Sequence, residues 1–218
     1  MNKIVINLFT GFVKLTGFSI WLLFKPKVHY MCKEKQSKKL PSPCILVSNH
    51  KSLLDFPLYL LIFPFRTIRF LIAEVLFNKN RLFATFLYAL GGIKVDRDAL
   101  SFDFVSKSLE VLDDGGTIGV FPEARIPING KPWPFTVSTA FIATHTDAPI
   151  VPVYTDGNYG LFKRTNVMIG EKIYLKNYCK EGFSQEEQLK HLTRILEDKV
   201  YELKDELDRR MGRNNADK

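Results

Sequence analysis

The sequence predicts an α/β fold: a largely parallel central sheet flanked by helices, with an amphipathic or hydrophobic N-terminal helix acting as a membrane anchor. Three observations carry this. Short continuous apolar runs at residues 44–47, 117–121 and 150–154 have the pattern of strands buried on both faces. Segments of helical pattern alternate with them, which is the signature of a parallel sheet. The most apolar stretch of the chain, residues 4–24, stands at the N-terminus between lysines.

That stretch holds 14 Ile, Val, Leu, Phe or Trp among 21 residues, nearly enough to span a bilayer. Lys14 in its middle argues against a simple span, because a central lysine costs about 2.5–3.5 kcal/mol on insertion scales. Asn7, Thr10, Gly11, Lys14 and Gly17 recur at helical spacing as one polar or small stripe. The reading is an in-plane or re-entrant helix, broken near Gly17 and ended by Pro26. A buried first helix of the core is the alternative. A cleaved signal is disfavoured, since Lys25-Pro26-Lys27 follows without small residues. The expected organisation is an anchor at 1–27, an α/β domain at 28–210 and a polar tail at 211–218.

Charge supports this division. The net charge is +8, and residues 1–39 hold eight lysines against the single acid Glu34. The rest of the chain is almost balanced, so the excess flanks the apolar segment instead of covering a nucleic-acid-sized face. An anionic membrane surface is the expected partner, and nucleic acid is not. Cys32, Cys44 and Cys179 give neither a disulfide framework nor a metal-ligand spacing, so no metal is expected.

Element by element, residues 28–31 read as a strand and Pro41-Ser42-Pro43 as a turn before strand 44–47. Residues 53–63 read as a helix with Pro57 in its first turn. Residues 69–73 and 93–95 are strand-like, and 82–90 is helical until Gly91-Gly92 stops it. A helix capped at Asp98 or Ser101 carries Phe102, Val105, Leu109 and Leu112 on one face and ends at Gly115-Gly116. Residues 135–145 look helical. Ser184 and Glu187 form a capping box before the stripe Leu189, Leu192, Leu196, Val200, Leu203 and Leu207.

In open α/β sheets, ligands bind at the C-terminal ends of the strands. After strand 44–47 come Ser48-Asn49-His50 and, five residues past the histidine, Asp55. Five residues on a helix place two side chains about 140° apart. The two can therefore pair only if His50 precedes the helix and Asp55 opens it. An imidazole held by a carboxylate is a general base of fixed tautomer; a capping histidine beside a solvated aspartate is the bland alternative. Other strand ends lead to Arg97, to Glu123-Ala124-Arg125 and to Asp156-Gly157. A guanidinium fork suits a phosphate, whereas surface ion pairing is its ordinary use. His29, His145 and His191 lack a patterned partner and read as structural. Cys44 reads as a small core residue. Trp133 reads as an interface contact or a loop plug. Phe56, Leu58, Leu60, Leu61 and Phe63 are core or the lining of an apolar channel.

Four ordered blocks now stand together: Asn49-His50 with Asp55; Gly92-Ile93-Lys94-Val95-Asp96-Arg97; Phe121-Pro122-Glu123 with Arg125; and Ala148-Pro149-Ile150-Val151-Pro152-Val153. Across residues 28–175 the set resembles the glycerolipid acyltransferases, most of all the bacterial 1-acyl-sn-glycerol-3-phosphate acyltransferases. The resemblance implies an enzyme that moves a fatty acyl group from acyl-CoA or acyl-ACP to lysophosphatidic acid, giving phosphatidic acid. His50 would be the general base and Asp55 its orienting acid. Arg97, Lys94 and Arg125 would hold the acceptor's phosphate, Asn49 and Glu123 would shape its site, and Pro149, Val151 and Pro152 would line the site and acyl path. No cofactor beyond the acyl thioester is implied, acyl carrier protein becomes a candidate partner, and the cytoplasmic face of the membrane is the expected location. The same chemistry on another lysophospholipid or an amino-acid lipid, or a non-catalytic membrane-binding module, are the alternatives.

The sequence departs from that pattern at Ala124, where a glycine is usual, so a left-handed turn there is not expected. Ala73-Glu74 stands where Lys-Glu is usual, which leaves Lys79 or Arg81 to supply a basic contact. Thr136, Val137 and Ser138 occupy a stretch that often carries lysine and glycine.

Overall fold

The computed structural model describes residues 2–17, 25–33, 39–96, 103–160 and 163–213. Within them, β2 (Cys44–Ser48), β3 (Ile68–Ala73), β4 (Ile93–Val95), β5 (Thr117–Val120) and β6 (Ile150–Thr155) run parallel. Two further strands close one side: β7 (Asn166–Ile169) runs antiparallel to β6, and β1 (Lys27–Tyr30) pairs parallel with β7. The sheet order is β1-β7-β6-β2-β5-β3-β4. β2 thus lies between β5 and β6, and the C-terminal ends of these three central strands meet at one edge.

Because side chains alternate along a strand, the sheet has two apolar faces. Ile45, Val47, Ile118, Val120 and Ile150 pack under α5 (Asp103–Asp113), α6 (Ser138–Thr144) and α7 (Gln185–Arg210). Cys44, Leu46, Ile68, Phe70, Val151 and Val153 pack under α2 (Asp55–Ile62), α3 (Glu74–Phe77) and α4 (Arg81–Ala89). α7 begins with the expected capping box at Ser184 and Glu187, and it buries Leu192, Leu196, Val200, Leu203 and Leu207. α6 is shorter than the helical pattern of 135–145 suggested. The helix cap expected at Asp98 or Ser101, together with Phe102, lies outside the described residues.

α1 (Lys3–Thr16) ends at Gly17, and residues 18–24 of the apolar segment lie outside the described residues. The polar stripe is split by the fold. Thr10 is buried against the protein, and Lys14 turns inward to donate to the carbonyls of Phe63, Pro64 and Arg66 at 3.2, 3.2 and 2.5 Å. Phe9 and Val13 pack on the α2 side of the core, whereas Ile4, Leu8, Phe12 and Leu15 face outward. Among the described residues no helix is long and apolar enough to cross a membrane. The α/β part of the expected fold is present; among the described residues no apolar span supports the N-terminal membrane anchor.

Candidate active site

β2 delivers Ser48-Asn49-His50 to the sheet edge, and α2 starts at Asp55. The histidine therefore sits in the loop and the aspartate in the first helical turn, as pairing at this spacing requires. His50 Nδ1 lies 2.8 Å from Asp55 Oδ2. The same oxygen accepts the backbone N–H groups of Lys51 and Ser52 at 2.6 and 2.8 Å. An oxygen accepting two amides is a carboxylate acceptor, so Nδ1 carries the ring proton and Nε2 is left as the base. Asp55 is fully buried and the His50 side chain is 15% exposed. The second oxygen of Asp55 accepts the phenol of Tyr159. That tyrosine reaches the aspartate because the loop after β6 passes over Lys51 at Gly157, which has φ +65°. A Cβ at 157 would lie 2.5 Å from Lys51 Cβ.

The His50 ring is also held from its face. It stacks on Phe121 at a centroid distance of 4.3 Å, and Phe121 stacks on Phe70 at 5.5 Å. The backbone N–H of His50 donates to Glu123 Oε1 at 3.1 Å, and that of Trp133 donates to Oε2 at 3.4 Å. Burial raises the Glu123 carboxyl above its ordinary value, with the two amides opposing the shift. Beside His50 opens a cavity of about 410 Å³. Its walls are overwhelmingly apolar, with Leu53, Phe56, Ile72, Leu76, Phe83 and Leu87 among them; His50, Lys79 and Arg125 are its polar members among the described residues. The Arg125 guanidinium lies over the Trp133 ring, 5.4 Å from its centroid. An apolar space of this volume next to a held imidazole and two cations can take a fatty chain with an anionic head.

The acyltransferase family model matches residues 30–156, more than half of the chain. The chain belongs to the acyltransferase family. Over 112 residues it is 27% identical to the Homo sapiens 1-acyl-sn-glycerol-3-phosphate acyltransferase beta; the match covers 51% of this chain and 40% of that protein, so the chain spans less than half of that relative's length. It is also similar to the crystal structure of the 1-acyl-sn-glycerophosphate (LPA) acyltransferase PlsC from Thermotoga maritima. The TM-score is 0.63 at 26% identity, covering 89% of this chain and 79% of that one.

In this acyltransferase the other sequence-expected residues fall in different places. Asn49 is buried and ties β2 to β6: its Oδ1 accepts the Thr155 N–H at 2.8 Å, and its Nδ2 donates to the Thr155 carbonyl at 3.0 Å. It braces the edge beneath His50. Lys94, expected on a phosphate, instead gives its ammonium to Glu74 Oε1 at 2.5 Å and does not line the cavity. Lys79 does line it, and Arg81 does not. Arg97 lies outside the described residues. Pro149 was expected to line the site. It precedes β6 and accepts from Ile45 N through its carbonyl, which places it at the sheet edge opposite His50. Val151 and Pro152 follow it into the buried middle of the sheet, so neither lines the cavity.

Ala124 also differs from expectation. Its φ is +55°, so the left-handed turn forms despite the Cβ. Its N–H closes on the Phe121 carbonyl at 2.9 Å, and this turn carries Arg125 to the cavity. Of the channel candidates, Phe56 lines the cavity, whereas Leu58, Leu60 and Phe63 are core. His29 and His145 engage the Asn166 side chain and the Phe141 carbonyl, and Cys44 is buried in the core. Tyr159 was not singled out from sequence. It stands 104 residues from Asp55, and no spacing signal links the two.

Proposed function

We propose that this acyltransferase moves a fatty acyl group from an acyl thioester, acyl-CoA or acyl-ACP, to the free hydroxyl of 1-acyl-glycerol-3-phosphate, giving phosphatidic acid. The observation that carries the reading is His50, locked by Asp55, lining an apolar cavity together with Arg125 and Lys79. His50 Nε2 takes the proton of the acceptor hydroxyl as its oxygen attacks the thioester carbonyl. The tetrahedral adduct collapses, the carbon–sulfur bond breaks, and the imidazolium returns the proton to the leaving thiolate. Asp55 stabilises the imidazolium while it exists. Arg125 and Lys79 attract the phosphate, and the apolar walls hold a chain. No step needs a metal or a bound cofactor. The names of the two relatives, both 1-acyl-glycerophosphate acyltransferases, agree with this acceptor.

The reading places the enzyme on the cytoplasmic face of the membrane, peripheral or monotopic. α1 supports it by presenting Ile4, Leu8, Phe12 and Leu15 outward as one apolar flank while Thr10 and Lys14 turn to the protein, as suits an interfacial helix.

The test is transfer itself. Purified protein in detergent, given labelled acyl-CoA or acyl-ACP and lysophosphatidic acid, is expected to form phosphatidic acid. His50→Ala should cut turnover by about 10²–10⁴-fold while leaving vesicle binding intact. Near-normal turnover in that variant would remove His50 as the base, and vesicle binding without transfer to any lysolipid would favour a binding module.

A further inference from the structure

A second cavity, of about 520 Å³, opens at the sheet edge opposite His50, where α1 crosses the segments leading into β3 and β5. α1 contributes Lys3 and Asn7, the start of β3 contributes Arg66, Thr67 and Arg69, and the turn after α5 contributes Asp114. Among the described residues three cations thus face one carboxylate, and that carboxylate is shared with Lys3 at 3.5 Å. Among the described residues each arginine is anchored through Nε: Arg66 to the Leu40 carbonyl at 3.4 Å and Arg69 to the Gly91 carbonyl at 3.2 Å. Among the described residues neither guanidinium has a carboxylate within ion-pair distance. Forks fixed at Nε, whose η nitrogens meet no acceptor among the described residues, are preorganised in this partly buried wall for an oxyanion. Burial lowers the Arg69 pKa, opposed by the more distant Glu110 and Asp114, which marks a charge held without full compensation.

The surroundings indicate which oxyanion. At about 100° per residue, Lys3, Asn7 and Lys14 form one flank of α1, and Ile4, Leu8, Phe12 and Leu15 form the neighbouring one. The latter are 61–79% exposed, and Phe65, also lining the cavity, is 75% exposed. Lys14 binds the carbonyls of residues 63, 64 and 66 and so fixes Phe65 and Arg66 beside the helix. A helix resting on lipid by its apolar flank brings the adjacent flank to the depth of the phosphates.

We propose that this cleft binds the phosphate of an anionic membrane phospholipid, with Arg66 and Arg69 on its oxygens and Lys3 at the rim. The site is separate from the acyl-transfer cavity and independent of the proposed reaction. It rests on the interfacial reading of α1.

The test is flotation of the full-length protein with vesicles of phosphatidylcholine alone, and of phosphatidylcholine doped with phosphatidylglycerol. Wild type is expected to prefer the doped vesicles. Arg66→Gln/Arg69→Gln should reduce that preference roughly 10- to 30-fold and leave binding to phosphatidylcholine alone unchanged. Arg66→Lys/Arg69→Lys keeps the charge and removes the forks, and it too should lose most of the preference. Retention of the full preference in either variant overturns the site. Leu8→Glu/Phe12→Glu should weaken binding to both vesicles; unchanged binding to phosphatidylcholine would defeat the interfacial reading instead. A measurement on wild type avoids any folding defect. Doped vesicles should raise its Tm more than phosphatidylcholine vesicles do, while inorganic phosphate and sn-glycerol 3-phosphate leave it nearly unmoved. A rise with the soluble phosphates equal to that with the doped vesicles would make the ligand a soluble phosphate and overturn the lipid assignment.

Discussion

Tyr159 donates its phenol to the one oxygen of Asp55 that His50 leaves free. Burial and the neighbouring carboxylate push this phenol far above its ordinary value, so it stays a donor throughout the working range. The aspartate is then held by four donors and cannot rotate away from the imidazole. Tyr159→Phe keeps the ring and removes one hold. The expected outcome is a fall in kcat of roughly tenfold, equivalent to about 1.4 kcal/mol, with KM for both substrates changed less than about twofold. Steady-state kinetics check this. An unchanged kcat would mean that the phenol only fills space.

Gly119 sets the position of the ring stack behind His50. A Cβ at 119 would lie 2.4–2.8 Å from three ring carbons of Phe70, and Phe70 supports Phe121, which supports His50. Gly119→Ala is expected to destabilise the protein by about 1–3 kcal/mol and to lower kcat by displacing the stack. Adding Phe70→Leu frees the space and should recover much of the stability. Because the stack stays broken, kcat should remain low. Thermal melts and kcat on the single and double variants separate the two effects.

Ala124 is the clearest place where the chain works against its own backbone. Its φ of +55° crowds the Cβ, at a cost of about 1–2 kcal/mol for an L-residue. Ala124→Gly relieves this but frees the unfolded chain by about 0.4–1 kcal/mol. The net expectation is a gain of roughly 0.5–1 kcal/mol, a Tm rise of about 1–4 °C, with kcat within about twofold of wild type. Denaturant unfolding and calorimetry measure it.

The same residue shows what sequence conveys and what it does not. Apolar runs buried on both faces announced β2, β5 and β6, and a cap followed by a leucine stripe announced α7, because those signals are local. β7 is four residues long and starts at Asn166, so it gave no run to read; its pairing with β1 joins segments about 140 residues apart. His50 and Asp55 were legible because one turn decides whether they meet. Tyr159 was not, since a loop positioned by Gly157 brings it from the end of the neighbouring strand β6, far away in the chain. Lys94 was read as free to grip phosphate because nothing in the sequence shows that Glu74, at the end of the neighbouring strand, reaches it first. Pro149 was read as site lining because a motif gives order along the chain, while the direction of β6 decides which edge it occupies.

Lys14 offers the sharpest thermodynamic test, because the sequence placed it on the polar stripe of an in-plane helix and the fold turns it inward onto protein carbonyls. Burial pushes its ammonium down to about 8 from the ordinary 10.5. Three carbonyls oppose that shift by holding the charged form. The folded value lies below the unfolded one, so between about pH 8 and 10.5 the unfolded chain binds more protons, and stability contributed by this group rises with pH. Lys14→Met removes that slope. It also leaves the carbonyls of Phe63 and Arg66 without their donor, a loss of about 1–2 kcal/mol at neutral pH, discounted from the full burial cost because water reaches part of the loop. Urea unfolding of wild type and variant from neutral to alkaline pH should show the gap between them widening as pH rises through that window. A gap that stays constant would mean that Lys14 titrates at the same pH in both states and that its contribution is hydrogen bonding alone.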